Sequence, residues 1–254
     1  MIVSHKEKFI FLKPRKVAGT SVQLALTEHC GDEDIITRMT AFSADFDEQH
    51  YTDPARNYEG WTTHMLPEDI KKKVGEEVWN SYTKITIVRN PWDRLVSQFL
   101  WAKGRGMKSR KHSRIKILTR WGKEIFSSKE NVLYFTKRLY RRVVLQKKAQ
   151  GSYEEFVHNV KPKYDNTPFY FTKNGEEVAD VYLRYEHLQE DYNTLCEQMG
   201  WEQADLPRLK TKTRTKKQHY STFYTPQLVE LVSERYYKQI THFSYSFEDK
   251  KNKQ

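Results

Sequence analysis

Residues 9–26 read FIFLKPRKVAGTSVQLAL, and this stretch decides how the chain begins to fold. An apolar run from Phe9 to Leu12 leads into a basic loop that closes on Gly19, and an apolar helical segment follows directly. This order predicts a buried strand, a tight turn and a helix N-terminus. Because a helix N-terminus presents backbone N–H groups and a partial positive charge, the stretch predicts a site for an anion such as phosphate.

The loop adds full positive charges to the same place, on Lys13, Arg15 and Lys16. Gly19 allows the backbone to approach a phosphate closely, while Thr20 and Ser21 can cap the helix and donate hydroxyl groups. The loop is not a Walker A motif, because its lysine precedes the glycine instead of standing next to the hydroxyl residue. From these residues alone, a strand-to-helix turn with surface lysines remains the alternative.

A second strand-to-helix pattern occupies residues 84–101, KITIVRNPWDRLVSQFLW. Asn90 suits the N-cap of the predicted helix, and a proline follows at the first helical position. Arg89 therefore stands at the carboxyl end of a strand, where open α/β sheets bind ligands. Ser97 lies two turns into the helix and can share an anion with Arg89 if its face is turned toward the loop. The alternative is that Arg89 and Arg94 pair with surface carboxylates.

The rest of the chain continues the alternation of strands and helices. A helix is predicted from Pro67 to Trp79, a strand from Val178 to Arg184, a helix from about Leu188 to Met199, and a last long helix capped by Thr225. We therefore predict an α/β fold with a mainly parallel sheet and helices on both faces. With 254 residues, 37% of them hydrophobic, the chain fits a single domain over residues 1–254.

Together the two motifs resemble those of sulfotransferases that use 3′-phosphoadenosine 5′-phosphosulfate (PAPS). The resemblance is strongest to the carbohydrate (heparan- and chondroitin-type) branch and its bacterial relatives. In that family the first loop holds the 5′-phosphosulfate and is matched here by residues 16–21, while the 3′-phosphate pair is matched by Arg89 and Ser97. Residues 181–188 and 224–247 resemble the family's late strand and its closing helix with an aromatic tail. The resemblance implies a P-loop-like domain.

The resemblance also implies roles for single residues. The nucleotide would be bound by Arg15, Lys16, Gly19, Thr20, Ser21, Arg89, Ser97, Lys212 and Arg214. The last two belong to the basic stretch 208–217, near the point where relatives close a basic loop over the nucleotide. Lys16 is expected to stabilise the bridging oxygen of the leaving phosphate, and His64 to act as the base. An imidazole titrates near neutrality, and many relatives place a histidine or glutamate base between the two motifs.

Other groups in the same interval are weaker candidates for the base. His29 is predicted at the end of the first helix, where it can interact with the helix dipole, and His50 lies in a polar, turn-rich stretch. Glu59 is the next candidate after His64.

The implied reaction moves the sulfuryl group in line from PAPS to a hydroxyl or amine acceptor and releases 3′-phosphoadenosine 5′-phosphate (PAP). It requires no metal, and no metal-ligand spacing is evident. Two other functional classes remain as alternatives. A P-loop phosphotransferase predicts a GK[ST] loop and a Mg²⁺-binding aspartate, and neither is evident. A nucleic-acid-binding module explains basic charge but leaves the two nucleotide motifs without a purpose.

Basic charge is concentrated in residues 101–150. This segment holds 16 Lys and Arg against two acids and carries a net charge of +14, in a chain whose total is +11. It is predicted to be mainly helical, and a solvated helical face is the ordinary explanation of such a run. In relatives, acceptor-binding structure is inserted here. We therefore expect an anionic acceptor, such as an acidic or sulfated glycan or another hydroxyl compound, and do not expect nucleic acid as partner.

The sequence also gives an expectation for the cellular compartment of the protein. The two cysteines do not form a disulfide framework, and there is no apolar run of membrane-spanning length. Golgi-type relatives carry a signal anchor before the catalytic domain, and none is evident in this sequence. The expectation is a cytoplasmic protein; the sequence does not predict an oligomeric state.

Overall fold

Three parallel strands position the site. The computed structural model describes residues 1–39, 54–111, 151–207 and 218–248. Within them, β2 (Phe9–Phe11) pairs in parallel with β4 (Thr83–Val88), which pairs in parallel with β5 (Val181–Arg184). Because they run parallel, the carboxyl ends of β2, β4 and β5 meet at one edge of the sheet, where ligands bind in open α/β folds.

Two short strands extend the sheet beyond β2 and run antiparallel. β1 (Ile2–Ser4) pairs with β2, and β3 (Ile35–Ile36) pairs with β1, so the strand order is β3-β1-β2-β4-β5. Sequence analysis did not identify β1 and β3, because runs of two or three residues carry no readable period. The sheet is therefore mixed, and its parallel half carries the two predicted motifs.

Helices lie on both faces of this sheet. In the described part of the chain they are α1 (Gly19–Thr27), α2 (Pro67–Ser81), α3 (Pro91–Lys111), α4 (Tyr153–His158), α5 (Leu188–Met199), α6 (Pro226–Arg235) and α7 (Tyr237–His242). Strand residues alternate between the faces. Phe9 and Phe11 pack in one buried layer with α1 and α5, while Ile10 and Leu12 pack in another with α2. The predicted α/β class with helices on both faces is confirmed.

The helix starts follow the capping residues in the sequence. Asn90 Oδ1 accepts the backbone N–H groups of Trp92 at 3.1 Å and Asp93 at 3.3 Å, which begins α3 at Pro91 as predicted. Thr225 Oγ1 accepts the N–H of Leu228 and begins α6. The predicted last long helix is broken at Tyr236 into α6 and α7, because Tyr236 has a non-helical φ of −113° and ψ of 21°.

A buried carboxylate fixes the turn after β1 against the end of α1. Asp34 accepts hydrogen bonds from Ser4 Oγ at 2.6 Å and from the N–H groups of His5, Lys6 and Gly31. Burial opposes ionisation of Asp34, but these hydrogen bonds outweigh it and lower the pKa of the carboxyl below its usual value. The ionised carboxylate therefore stabilises this corner of the fold.

Candidate active site

Three loops converge at the edge where β2, β4 and β5 end. They are residues 12–18, the Arg89–Asn90 turn, and the 3₁₀ turn Tyr185–His187. The Arg89 guanidinium lies over the Tyr185 ring, 3.7 Å from its centroid, and the Asn90 N–H donates to Glu186 Oε1 at 2.8 Å. Direct contacts therefore join the second predicted motif to the loop after β5.

The loop after β2 contains two residues in the left-handed backbone region. Lys16 has φ 65° and Ala18 has φ 62°, a conformation that is unfavourable for residues with a side chain. Ala18 is the N-cap of α1, no side chain caps this helix, and its first turn carries no acidic residue. The prediction that Thr20 or Ser21 caps α1 is wrong, because the helix begins at Gly19 and both lie inside its first turn.

Lys13 belongs to this loop, but its side chain is buried against α1. Its side chain is 4% exposed, and Nζ donates to Gln23 Oε1 on α1 at 2.5 Å. A Cβ at residue 19 would lie 3.0 Å from Lys13 Cγ, closer than an ordinary van der Waals contact, so the absence of a side chain at Gly19 leaves room for this buried lysine. Of the three loop cations, Arg15 and Lys16 are partly exposed, whereas Lys13 is buried.

His64 contacts the same loop from the segment before α2. Its Nδ1 lies 2.8 Å from the carbonyl oxygen of Lys13. Because a carbonyl only accepts, Nδ1 carries the proton and donates, and the lone pair of the neutral ring is on Nε2. Burial, and after it the positive charge of Arg15, lowers the pKa of His64 to about 3, so the ring is neutral at pH 7.

Arg89 links the two predicted motifs. Its Nε and Nη2 donate to Asp93 Oδ2 at 2.9 and 2.6 Å, and its Nη1 donates to the Lys16 carbonyl oxygen at 2.7 Å. The side chain pairs with a carboxylate, as in the alternative considered from the sequence, but the partner is a largely buried residue one turn away. Arg94 donates instead to the Tyr164 carbonyl oxygen at 2.9 Å.

One face of α3 is turned toward the loop. Asp93 contacts Arg89, and Trp101 lies under Lys16, whose Nζ is 5.5 Å from the ring centroid. Ser97 is four residues from each, so it lies between them on the same helix face. Ser97 is partly exposed, and the condition that its face be turned toward the loop is therefore met.

Sequence reasoning missed Asn166, which contacts the loop from 151 residues away. Its Oδ1 accepts the Arg15 N–H at 3.1 Å, and its Nδ2 donates to the Arg15 carbonyl oxygen at 2.9 Å. Nothing in the local pattern could have indicated this contact, because Asn166-Thr-Pro reads as an ordinary turn.

The other candidates lie away from the site or beyond the described residues. His29 stacks on Trp201, with ring centroids 4.2 Å apart, and Glu59 is exposed. Lys212, Arg214, His50 and residues 112–150 fall outside the described residues. Among the residues the structure does describe, no three His, Cys, Asp or Glu side chains are grouped so that they could hold a metal ion.

Comparison with known protein families identifies the chain. A family model described as "Sulfotransferase family" matches residues 1–246, which include both motifs and the late strand and helices. The chain belongs to the sulfotransferase family. Sulfotransferase membership confirms the resemblance drawn from the two motifs and supports sulfuryl transfer in general. Comparisons with curated proteins and with solved structures each found no match to this sulfotransferase. In its described part, none of the helices combines the length and apolar character needed to cross a bilayer.

Proposed function

We propose that this sulfotransferase moves the sulfuryl group from PAPS to a hydroxyl or amine group of an anionic carbohydrate. The observation that carries the proposal is the convergence of His64 and Arg89 on the main chain of one loop, at Lys13 and Lys16. These contacts would bring a base, His64, and two cations, Arg89 and Lys16, to the N-terminus of α1. Family membership favours sulfuryl transfer over the phosphotransferase and nucleic-acid alternatives.

The donor is proposed to bind across the two motifs. Its 5′-phosphosulfate would meet the N-terminus of α1, the side chains of Arg15 and Lys16, and the hydroxyls of Thr20 and Ser21. A helix N-terminus without a side-chain cap favours such an anion. The 3′-phosphate would lie between Arg89 and Ser97. Arg89 has five N–H donors, three of them in the bonds described above, so it retains donors for a phosphate.

The chemical step requires one base and one cation. The acceptor oxygen attacks sulfur and its proton passes to His64 Nε2, while the S–O bond to PAP breaks and the electron pair stays on the phosphate oxygen, beside Lys16. The Nδ1 bond to the Lys13 carbonyl fixes the tautomer that leaves Nε2 able to accept. Because Arg15 helps to hold the pKa of His64 low, donor phosphates beside Arg15 should raise it toward the value an effective base requires.

The acceptor is proposed from charge. Residues 101–150 carry +14, and the segment begins inside α3, the helix that follows Arg89. Such a surplus of one sign attracts an anionic partner and repels itself in its absence. An acidic or sulfated glycan fits, and its turnover should fall as salt rises, because the Debye length is about 10 Å at 0.1 M ionic strength.

The direct test is transfer of sulfate from PAPS to a panel of glycans, phenols and peptides at low and high salt. We expect turnover with an anionic glycan, and a kcat/KM that falls with ionic strength. Turnover that is confined to phenols or peptides, or that is indifferent to salt, would contradict the carbohydrate proposal.

Donor identity is tested separately by thermal shift with PAP, ATP and a DNA duplex. A ligand present at 100 times its dissociation constant stabilises the folded protein by about 2.7 kcal/mol. We therefore expect PAP, and neither ATP nor the duplex, to raise the melting temperature measurably. Equal shifts with ATP, or a shift with the duplex alone, would overturn the assignment of PAPS.

The base is tested with His64→Asn, whose amide can still donate to the Lys13 carbonyl. We expect kcat to fall by about 10²-fold or more, the usual contribution of a general base, with PAP binding retained. His158→Asn removes an exposed histidine and is the matched control. Near-normal turnover by His64→Asn would move the role to another group, with Glu59 the next to test.

A further inference from the structure

Asn166 binds the main chain of the loop after β2, residues 12–18, at both the N–H and the carbonyl group of Arg15. It is fully buried, and its side-chain amide makes reciprocal hydrogen bonds to the N–H and carbonyl groups of Arg15, at 3.1 and 2.9 Å. A primary amide is well suited to this task, because it presents one acceptor and one donor side by side. Hydroxyl and carboxylate side chains do not present that pair.

The residue that follows Arg15 is Lys16, whose backbone is in the unfavourable left-handed region at φ 65°. The peptide group before Lys16 carries the Arg15 carbonyl, which Asn166 binds. The peptide group after it carries the Lys16 carbonyl, which Arg89 binds at 2.7 Å. Both peptide groups that flank Lys16 are therefore held by buried side chains from distant parts of the chain.

Asn166 is itself anchored from two directions. The Tyr164 carbonyl accepts from Nη1 of Arg94 on α3, and Thr167 Oγ1 accepts from Nε2 of Gln239 on α7 at 2.6 Å. Gln239 and Arg94 are both buried, at 2% and 0% exposure. The turn that presents Asn166 is thus fixed to two helices, and the Asn166 amide bonds this turn directly to the loop.

We propose that Asn166 is a positioning residue of this sulfotransferase: by binding Arg15, it holds Lys16 in the conformation that brings its ammonium group to the leaving oxygen of the donor. Asn166 acts through Lys16 and touches no reacting atom. The inference rests on the proposed function in so far as Lys16 meets the donor.

The first experiment measures the loop itself. Hydrogen exchange of peptides covering residues 13–18 is compared in wild type, Asn166→Ala and Asn166→Asp, with Thr167→Val as the matched control in the same turn. Asn166→Ala should speed exchange in this loop by about 10-fold or more, because the Arg15 N–H loses its acceptor. Thr167→Val loses the bond from Gln239 and its own bond to Asp165 but keeps the Asn166 amide and the Arg94 anchor, so exchange in the loop should accelerate clearly less than in Asn166→Ala.

The second experiment measures catalysis. Misplacing a reacting group by about 1 Å can cost 10²-fold in rate, so kcat of Asn166→Ala should fall about 10- to 100-fold, by more than its PAP dissociation constant rises. Asn166→Asp provides a readout that general destabilisation does not affect. An ionised aspartate cannot donate to the Arg15 carbonyl, whereas a protonated one can. Its kcat, taken relative to wild type at each pH, should therefore recover as pH falls.

The outcomes separate this proposal from the proposed function. If wild type binds no PAP and transfers no sulfate, the function fails, and the exchange experiment still decides whether Asn166 holds the loop. Unchanged exchange in Asn166→Ala, or equal acceleration in Thr167→Val, overturns the proposal. If Asn166→Ala does not fold, the near-isosteric Asn166→Asp replaces it, and a relative kcat independent of pH also overturns the proposal.

Discussion

His64 should make the stability of the fold depend on pH in an unusual direction and by a large amount. A histidine that gains a carboxylate partner on folding has its pKa raised. Here burial and the charge of Arg15 lower the pKa of His64 from 6.5 to about 3. Between those values the unfolded chain binds a proton that the folded protein excludes. The contribution of His64 is therefore complete above pH 6.5 and is lost progressively as pH falls toward 3.

The magnitude follows from these two values. At pH 7 only about a quarter of the unfolded histidine is protonated, whereas at pH 5 it is almost fully protonated; the folded histidine is neutral at both pH values. The free energy of unfolding should therefore fall by about 2 kcal/mol between pH 7 and pH 5 through His64 alone. The figure changes little if the folded pKa is one unit higher, because His64 is then still neutral at pH 5.

The assay is urea unfolding at pH 7, 6 and 5, followed by tryptophan fluorescence, for wild type and His64→Asn. Asparagine keeps a donor for the Lys13 carbonyl but does not titrate, so the variant should lose about 2 kcal/mol less than wild type over this range. His158→Asn serves as the control for loss of an imidazole at the surface. If wild type and His64→Asn lose stability in parallel, within about 0.5 kcal/mol, the stated environment of His64 is wrong.

Three further predictions concern buried charge and backbone strain. Arg89→Met leaves Asp93 buried without its cation, and we expect a loss of about 3 kcal/mol in urea unfolding; adding Asp93→Leu should recover much of it but not PAP binding. Recovery of PAP affinity in the double variant would remove Arg89 from the donor site. Asp34→Ala should cost about 2–3 kcal/mol at pH 7 and less below pH 4, because the hydrogen-bonded carboxylate contributes only when ionised; a cost independent of pH would contradict this. Ala18→Val should be less stable than Ala18→Gly by about 1–2 kcal/mol, since φ is 62°, and equal stabilities would show that this position is not strained.

Much of the parallel half of the fold was readable from the sequence, because its signals are local. The apolar run at β2 and the Asn90 cap that starts α3 each lie within a few residues of the element they define. The relation of the two motifs was also predictable, since parallel neighbours end at the same edge of a sheet. His64 was chosen by resemblance, and its contact with the loop is consistent with that choice.

What the sequence could not provide were the contacts made at long range. The burial of Lys13 depends on Gln23 Oε1, and the geometry of Lys16 depends on Arg89 and Asn166. A lysine in a basic loop reads as a surface charge whether it is exposed or buried, and an asparagine before Thr-Pro reads as a turn. These differences are fixed by tertiary packing and leave no trace in local propensity.

The same contacts explain why the loop can hold an unfavourable conformation before any ligand arrives. Arg89 is oriented by Asp93 and Tyr185 and donates to the loop, while Asn166 donates to the carbonyl of the peptide group that precedes Lys16. The strain at Lys16 is thus offset by folding contacts and not by donor binding. Binding energy that would otherwise order the loop remains available for fixing the donor in line with the acceptor. The loop should therefore be equally ordered with and without nucleotide, and PAP should change hydrogen exchange in residues 13–18 far less than Asn166→Ala does.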